Sequence, residues 1–546
     1  MKIQMQKPLF AWDCLEDHPA LATIKQLLET IPDGQLLESL HTARGKGRDD
    51  YPLPVLWGVV LLTIVLRHTG FEACLGELRR NPSLAKLIGI KSAADVPKGW
   101  NVSRFLDVLG REPHRLELEA MFNQMLQRLG EVVPDLGRDT AGDSTALKAR
   151  RARRDRPQDP QGVPASGGAA GSAVVTGSAV GVRTASVAAP AAASRAKRGG
   201  AAQSGATEGK PAASATAEEG AQEKITYDRH GLPQPAGGRK EYRDEKGVVV
   251  KVYQWFGYKL HLLVDVKHEV VLAYRISSPK EGDNEVLSAL VDQARINLPA
   301  ARIKTLAYDK AADDVKVHEK LQTCGIKPVI QNRALWKEEQ EKLLPGHDGN
   351  SNIVYDEAGT LYCYDRVSQP MIRRPMAYIG HEPARGTLKY RCPAKHDGLP
   401  CAMSEICNAG KSYGLTVRVK QEIDLRRFPP LPRATKKFER LYKGRTSVER
   451  VNGRLKIFWG ADDGNVTGAT RFHAMVGAVL VVHAAFATLL AAAPRQEGTL
   501  GKMRLGPIAK ALYERITAGA GKVRPCRQKQ KTAKRQESKQ GKLFAA

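Results

Sequence analysis

The sequence predicts an α/β core with partly parallel strands, preceded by an all-helical region. Three observations carry this. Strand-like and helical runs alternate between residues 238 and 332, residues 1–135 hold only helical patterns, and residues 150–237 lack the large apolar side chains that either region needs.

In the first region, LPVLWGVVLLTIVLRHTG reads as a nearly all-apolar helix stopped by Gly70. FEACLGELRRNPSLAKLIGI gives two further helices broken at Asn81-Pro82, because proline removes a backbone donor and clashes with the preceding turn. NVSRFLDVLG and the amphipathic HRLELEAMFNQMLQRLGEVV complete an all-α domain with basic patches, a candidate DNA-binding domain. Residues 136–149 read as a first strand. The Ala/Gly/Ser-rich stretch 150–237 cannot bury enough surface to offset its ordering entropy and is expected to be disordered.

Order is expected to resume near Arg239. KGVVVKVYQWFGYKLHLLVDVKHEVVLAYRIS is rich in strand formers around a KHE turn. NEVLSALVDQARINL is an amphipathic helix, ARIKTLAYD a strand, AADDVKVHEKLQTCG a helix and IKPVIQN a strand. Residues 333–435 interrupt this series with a loop-rich, Pro- and Cys-containing insertion. Residues 436–495 return to helices, and 496–546 form a lysine-rich tail expected to be disordered.

The formal net charge is +27, which favours a polyanionic partner. Eight cysteines in 546 residues do not suggest a disulfide scaffold, and MKIQMQKPLFAWDC has no secretory-type apolar core. Phe472–Ala493 is long enough to span a membrane, but it is alanine-rich and contains His473 and His483. The expectation is a buried helix in a protein of a reducing compartment, with no membrane partner.

Three carboxylates stand out. Asp143 lies in GDSTALKA, a β-prone stretch, where it also reads as a turn residue; Asp139 is a weaker rival. Asp309 ends IKTLAYD, at the rim where α/β sheets bind ligands, and alone it reads as a helix cap. Glu449 lies in YKGRTSVERVNGRLK, residues 442–456, where Tyr442, Arg445, Glu449, Asn452 and Lys456 make a polar stripe at helical spacing. Beside it runs an apolar seam of Val448, Val451, Leu455 and Phe458. Gly444 and Gly453 each cost roughly 1 kcal/mol of helix propensity, which close backbone approach to a partner would justify. Three such acids could hold two Mg²⁺ (or Mn²⁺) ions on a phosphodiester, with Arg445 and Lys456 on its oxygens.

These residues resemble a known family. Tyr442-x2-Arg445-x3-Glu449-x6-Lys456 is similar to the Y-R-E-K signature of DDE-class bacterial insertion-sequence transposases of the family-four type. Asp143 in GDST and Asp309 in YDKAAD, with Asp313 four residues on, resemble the first two acids. WFGYKLHLLVD resembles the strand pair between them, and YPLPVLW, ELRRNP and VSRF resemble the family's N-terminal domain. The resemblance implies a ribonuclease H-like catalytic core and cut-and-paste transposition. It also implies catalytic Asp143, Asp309 and Glu449, with Tyr442, Arg445 and Lys456 on DNA. The implied partner is double-stranded DNA, held by a dimer in the cytoplasm at the nucleoid.

Cys363, Cys392, Cys401 and Cys407 fall within 45 residues of the insertion and are candidate Zn²⁺ ligands, although their spacing is not CxxC…CxxC. Such a site would let a loop-rich insertion fold without much core. His381 and His396 are possible substitutes.

Overall fold

A computed structural model describes residues 19–46, 51–150, 225–243, 248–336, 340–345, 352–463 and 466–492. These lie in one compact unit; a second unit, residues 153–223, lies outside the described residues. So do most of the stretch expected to be disordered and all of the tail 496–546. From Ile225 onward the chain is already ordered, with a bridge between Tyr227 and Pro233 ahead of the expected start at Arg239.

Seven helices come first: α1 Pro19–Thr30, α2 Gly34–Arg44, α3 Leu53–Val65, α4 Phe71–Arg80, α5 Pro82–Leu87, α6 Gly99–Leu109 and α7 His114–Val132. Between α4 and α5 the Asn81 side chain accepts a hydrogen bond from the Leu84 amide, so the predicted break is a working cap.

The central sheet contains β1 Asp139–Lys148, β2 Ala236–Arg243, β3 Val249–Asp265, β4 Val271–Ser277, β5 Thr305–Tyr308 and β6 Lys327–Ile330. Strand β3 serves several neighbours. Its first half pairs with β2, and its second half lies between β1 and β4. Across the second half the order is β4-β3-β1-β5-β6, antiparallel up to β1 and parallel from β1 to β6. Helices α8 Asp283–Asn297 and α9 Val315–Thr323 make the connections to and from β5.

After β6 the chain builds a lobe of two small sheets. β7 Lys342–Leu343, β8 Ile353–Tyr355, β9 Leu361–Asp365 and β10 Ile372–Pro375 form one. β11 Ala377–Glu382, β12 Thr387–Arg391 and β13 Thr416–Lys420 form the other, with short helices α10 Pro393–Asp397 and α11 Ser404–Cys407 between its last two strands. This corrects the loop-rich expectation. Leu361, Leu388, Tyr390, Val417, Val419 and Phe428 make a second hydrophobic core, so the lobe has its own reason to fold.

The chain returns through α12 Lys436–Tyr442, a 3₁₀ turn Lys443–Arg445, α13 Thr446–Ile457 and α14 Ala469–Ala492. Helix α14 is long and apolar enough to cross a membrane, yet 72% of its apolar window is buried inside the fold. His483 on α14 accepts from the Val271 amide of β4 at 3.1 Å, and burial lowers its pKa to about 3. One hydrophobic core runs from the N-terminal helices through α14 to the central sheet. The expected boundary at residue 135 is therefore not a boundary in packing.

Candidate active site

Register brings the two aspartates together. Across the parallel pair β1/β5, Ala141 stands opposite Ala307. Two residues further along each chain, on the same face, stand Asp143 and Asp309. Ser144 points to the other face, where its hydroxyl donates to Asp283 of α8 at 2.8 Å. Helix α13 covers the Asp143 face through the predicted seam: Val448 and Val451 are fully buried and Leu455 nearly so. At the end of the seam Trp459 takes the buried position expected for Phe458, which is half-buried.

Two features anchor that helix. Arg450 and Arg454 both pair with Glu269 in the β3–β4 turn, and Glu269 itself has a left-handed backbone, φ 54°. Gly444 sits where a Cβ would approach Val266 Cγ1 to 2.8 Å, so close approach explains it, but the approach is to the chain itself. A Cβ at Gly453 would meet open space, and packing gives no account of that glycine.

The polar stripe does not lie on one helix. Tyr442 ends α12, stacked on Phe438 at 5.9 Å, and Arg445 lies in the 3₁₀ turn before α13. The turn places Arg445 between acids. Its Nη2 donates to Glu449 Oε1 at 2.6 Å, and its Nη1 lies 4.0 Å from Asp143 Oδ2. Lys456 tucks under the sheet and donates to the Ala146 carbonyl of β1 at 2.5 Å. Asp462 is 3.9 Å from Lys456 and also accepts from the Lys148 amide. Asn452 is buried.

Electrostatics separate the first acid from an ordinary surface carboxylate. Burial raises the Asp143 pKa to about 6, and the neighbouring charge of Asp309 adds to the rise; the Ser144 amide, then Lys240 and Arg445, oppose it. Asp309 also caps the turn Lys310–Ala312 by accepting from the Ala311 amide at 2.9 Å, so the bland reading of this residue holds as well. The rival Asp139 accepts from Thr305 Oγ1 at 2.6 Å at the far end of β1, two pleat repeats away from Asp143. An acid pair on one face with Arg445 4.0 Å from one of its oxygens has the chemistry to take a divalent cation. Among the described residues no three His, Cys, Asp or Glu side chains yet converge tightly enough to hold one. Glu449 is directed to Arg445, and its half-exposed side chain is free to turn.

Sequence reasoning missed Lys240, Glu269, Asp283 and Asp462. Lys240 acts on Asp143, Glu269 on Arg450 and Arg454, Asp283 on Ser144 and Asp462 on the Lys148 amide, all far apart along the chain, and a charged residue near a turn carries no signal of such a contact.

The four cysteines of the second lobe share a neighbourhood. Asn352 Nδ2 reaches Cys363 Sγ at 3.4 Å and Cys407 Sγ at 3.9 Å, and Asn408 Nδ2 reaches Cys392 Sγ at 3.7 Å. Burial, then the proximity of Cys392, Cys407 and Cys401, pushes the Cys363 thiol up to about 12. His381 contacts Gln421 at 2.8 Å, and His396 lies beside Asp397.

Residues 225–484 match the model of a family described as transposase DDE domain. The match supports a DDE-type transposase. It spans Asp309, the second lobe and Glu449 but begins after Asp143, so β1 joins the site by geometry. No curated protein matches the chain.

Proposed function

We propose that the protein is a cut-and-paste transposase of an insertion sequence, of the family-four type, acting on double-stranded DNA as a dimer at the nucleoid. The observation that carries this is the level register of Asp143, midway along β1, and Asp309, just past the end of the parallel strand β5, with Arg445 between Asp143 and Glu449 of α13. The strand order β4-β3-β1-β5-β6, with its antiparallel and parallel halves, supports a ribonuclease H-like core.

Asp143, Asp309 and Glu449 would hold Mg²⁺ or Mn²⁺ once Glu449 turns from Arg445 toward the aspartates. Bound there, the metal supplies an activated hydroxyl and charge stabilisation for the leaving oxygen of a phosphodiester. Arg445, freed from Glu449, becomes a fork for two phosphate oxygens. Tyr442, braced by Phe438, sits beside Arg445 and bears on the DNA backbone with it. Lys456 acts from beneath: its ammonium holds the Ala146 carbonyl, so it sets the path of β1 that carries Asp143 and adds positive potential there.

Cys363, Cys392, Cys401 and Cys407 are proposed zinc ligands; their side chains would turn from their present positions to ligate. With a core already present, zinc would fasten the lobe rather than fold it. Metal analysis of purified protein that finds no zinc would end that reading.

The main test is nicking of plasmid DNA carrying the gene's flanking sequences, in Mg²⁺ or Mn²⁺. Wild type is expected to nick and Glu449→Gln to lose at least about 100-fold in rate. No nicking by wild type would point to an inactive DNA-binding descendant, and undiminished nicking by the variant would remove Glu449 from the site.

A further inference from the structure

The β2/β3 ribbon extends beyond the part of β3 that pairs with β1, and one of its faces has an unusual make-up. In register, Trp255 stands opposite Gly238, Tyr253 opposite Lys240, and Lys251 opposite Tyr242. Alternate residues share a face, so these six form one surface. The indole of Trp255 lies over Gly238, where a Cβ would come within 2.3 Å of the ring. Its Nε1 donates to the Tyr258 carbonyl at 3.2 Å, which fixes the edge of the ring. Tyr253 stacks beside it at 5.7 Å and 24°, and Lys240 Nζ lies 5.7 Å from the Tyr242 ring. Lys240, Tyr242 and Lys251 are exposed, and Tyr253 and Trp255 are half-exposed.

A structural ribbon would turn aromatic rings of this size toward a core. Here they lie toward solvent, fixed in orientation and interleaved with ammonium groups. Fixed aromatic faces accept unstacked bases, and the ammonium groups beside them suit phosphates. The ribbon is also continuous with β1: the β3 strand that carries its aromatic rings goes on to pair with β1 from Gly257 to Asp265, and the Lys240 charge acts on Asp143.

We infer that this ribbon face holds a DNA strand whose bases are unstacked, guiding it along β3 toward Asp143. The inference rests on the transposase reading for its purpose but not for its measurement. A duplex would engage the lysines alone, since its bases present no free face.

The test measures binding of full-length protein to a labelled 20-nucleotide mixed-sequence single strand and to the same sequence as a duplex. The double variant Tyr253→Ala/Trp255→Ala is expected to bind the single strand at least about tenfold more weakly, with duplex binding changed by less than about threefold. Trp255→Phe, which keeps a stacking face and the packing over Gly238, should restore most of the single-strand affinity. Lys240→Gln/Lys251→Gln should lower the slope of log affinity against log salt by about 1.4 for the single strand. Equal losses for both DNA forms, or unchanged single-strand binding in the alanine variant, would overturn the inference. So would failure of Trp255→Phe to rescue, which would mark the rings as structural. Wild type that binds the single strand selectively yet never nicks would instead sink the transposase reading and leave the ribbon standing.

Discussion

Asp143 and Asp313 are both largely removed from solvent, Asp143 midway along β1 and Asp313 just after the turn that follows β5. Their surroundings differ. Asp313 is fully buried and accepts from the Arg333 amide, Arg426 and Arg433, each at 2.8 Å, with His318 Nε2 at 3.1 Å. Burial alone would raise its pKa, but the His318 hydrogen bond and the two guanidinium charges outweigh it and hold the value down. Asp143, with 18% of its side chain exposed, has the Ser144 amide and the more distant Arg445 and Lys240 against burial and the Asp309 charge, and its pKa is pushed up to about 6. Asp313 is therefore a finished structural joint: it ties the turn after Asp309, the exit of β6 and the return from the second lobe. Asp143 is a carboxylate whose charge the fold compensates only in part, which is the condition a cation-binding acid needs before its ion arrives.

The largest effect that would sharpen this contrast is on stability. Asp313→Ala strands two buried guanidinium groups and should cost about 3–5 kcal/mol in denaturant unfolding. A loss below about 1 kcal/mol would show that the joint is not structural. Asp143→Asn should go the other way. A carboxyl with its folded pKa raised from 3.8 to about 6 stabilises the fold below pH 4, and that stability is lost as pH rises through 6. Without metal, the amide should therefore raise stability by up to about 3 kcal/mol at pH 7 and flatten the pH dependence between 4 and 6. For Asp313, with its pKa lowered, stability is present at neutral pH and is lost as pH falls through the folded value. Wild-type unfolding followed in acid should separate the two windows. The smallest effect belongs to Glu449→Gln. Glu449 is half exposed and paired only with Arg445, so thermal or chemical unfolding should move by less than about 0.5 kcal/mol. A large shift would make Glu449 a structural residue and weaken its assignment to the site.

Much of this was legible in the sequence because it is local. The strand IKTLAYD, the seam Val448–Leu455 and the break at Asn81-Pro82 follow from periodicity and residue type, and each stands where that pattern put it. Asp309 and Glu449 could be singled out by position on those elements. What stayed hidden depends on distant pairing. The break between Tyr442 and Thr446 is set by Gly444 meeting Val266, a residue of the β3–β4 turn. The inward direction of Lys456 is set by Ala146 of β1, 310 residues earlier in the chain. The second lobe was misread as coreless because its strands are short, and a three- to six-residue strand carries too few alternations to register as a pattern. Nor could residues 19–132 reveal that their helices close over α14, since neither sequence names its partner.

The most direct measurement is a calorimetric titration of Mn²⁺ onto wild-type protein and onto Asp143→Asn at pH 7.5, without DNA. The account predicts saturable binding by wild type that weakens at least about tenfold in the variant, while the variant remains folded. Equal affinity in the two proteins would contradict it, because Asp143 would then hold no metal and its partly compensated charge would need another explanation.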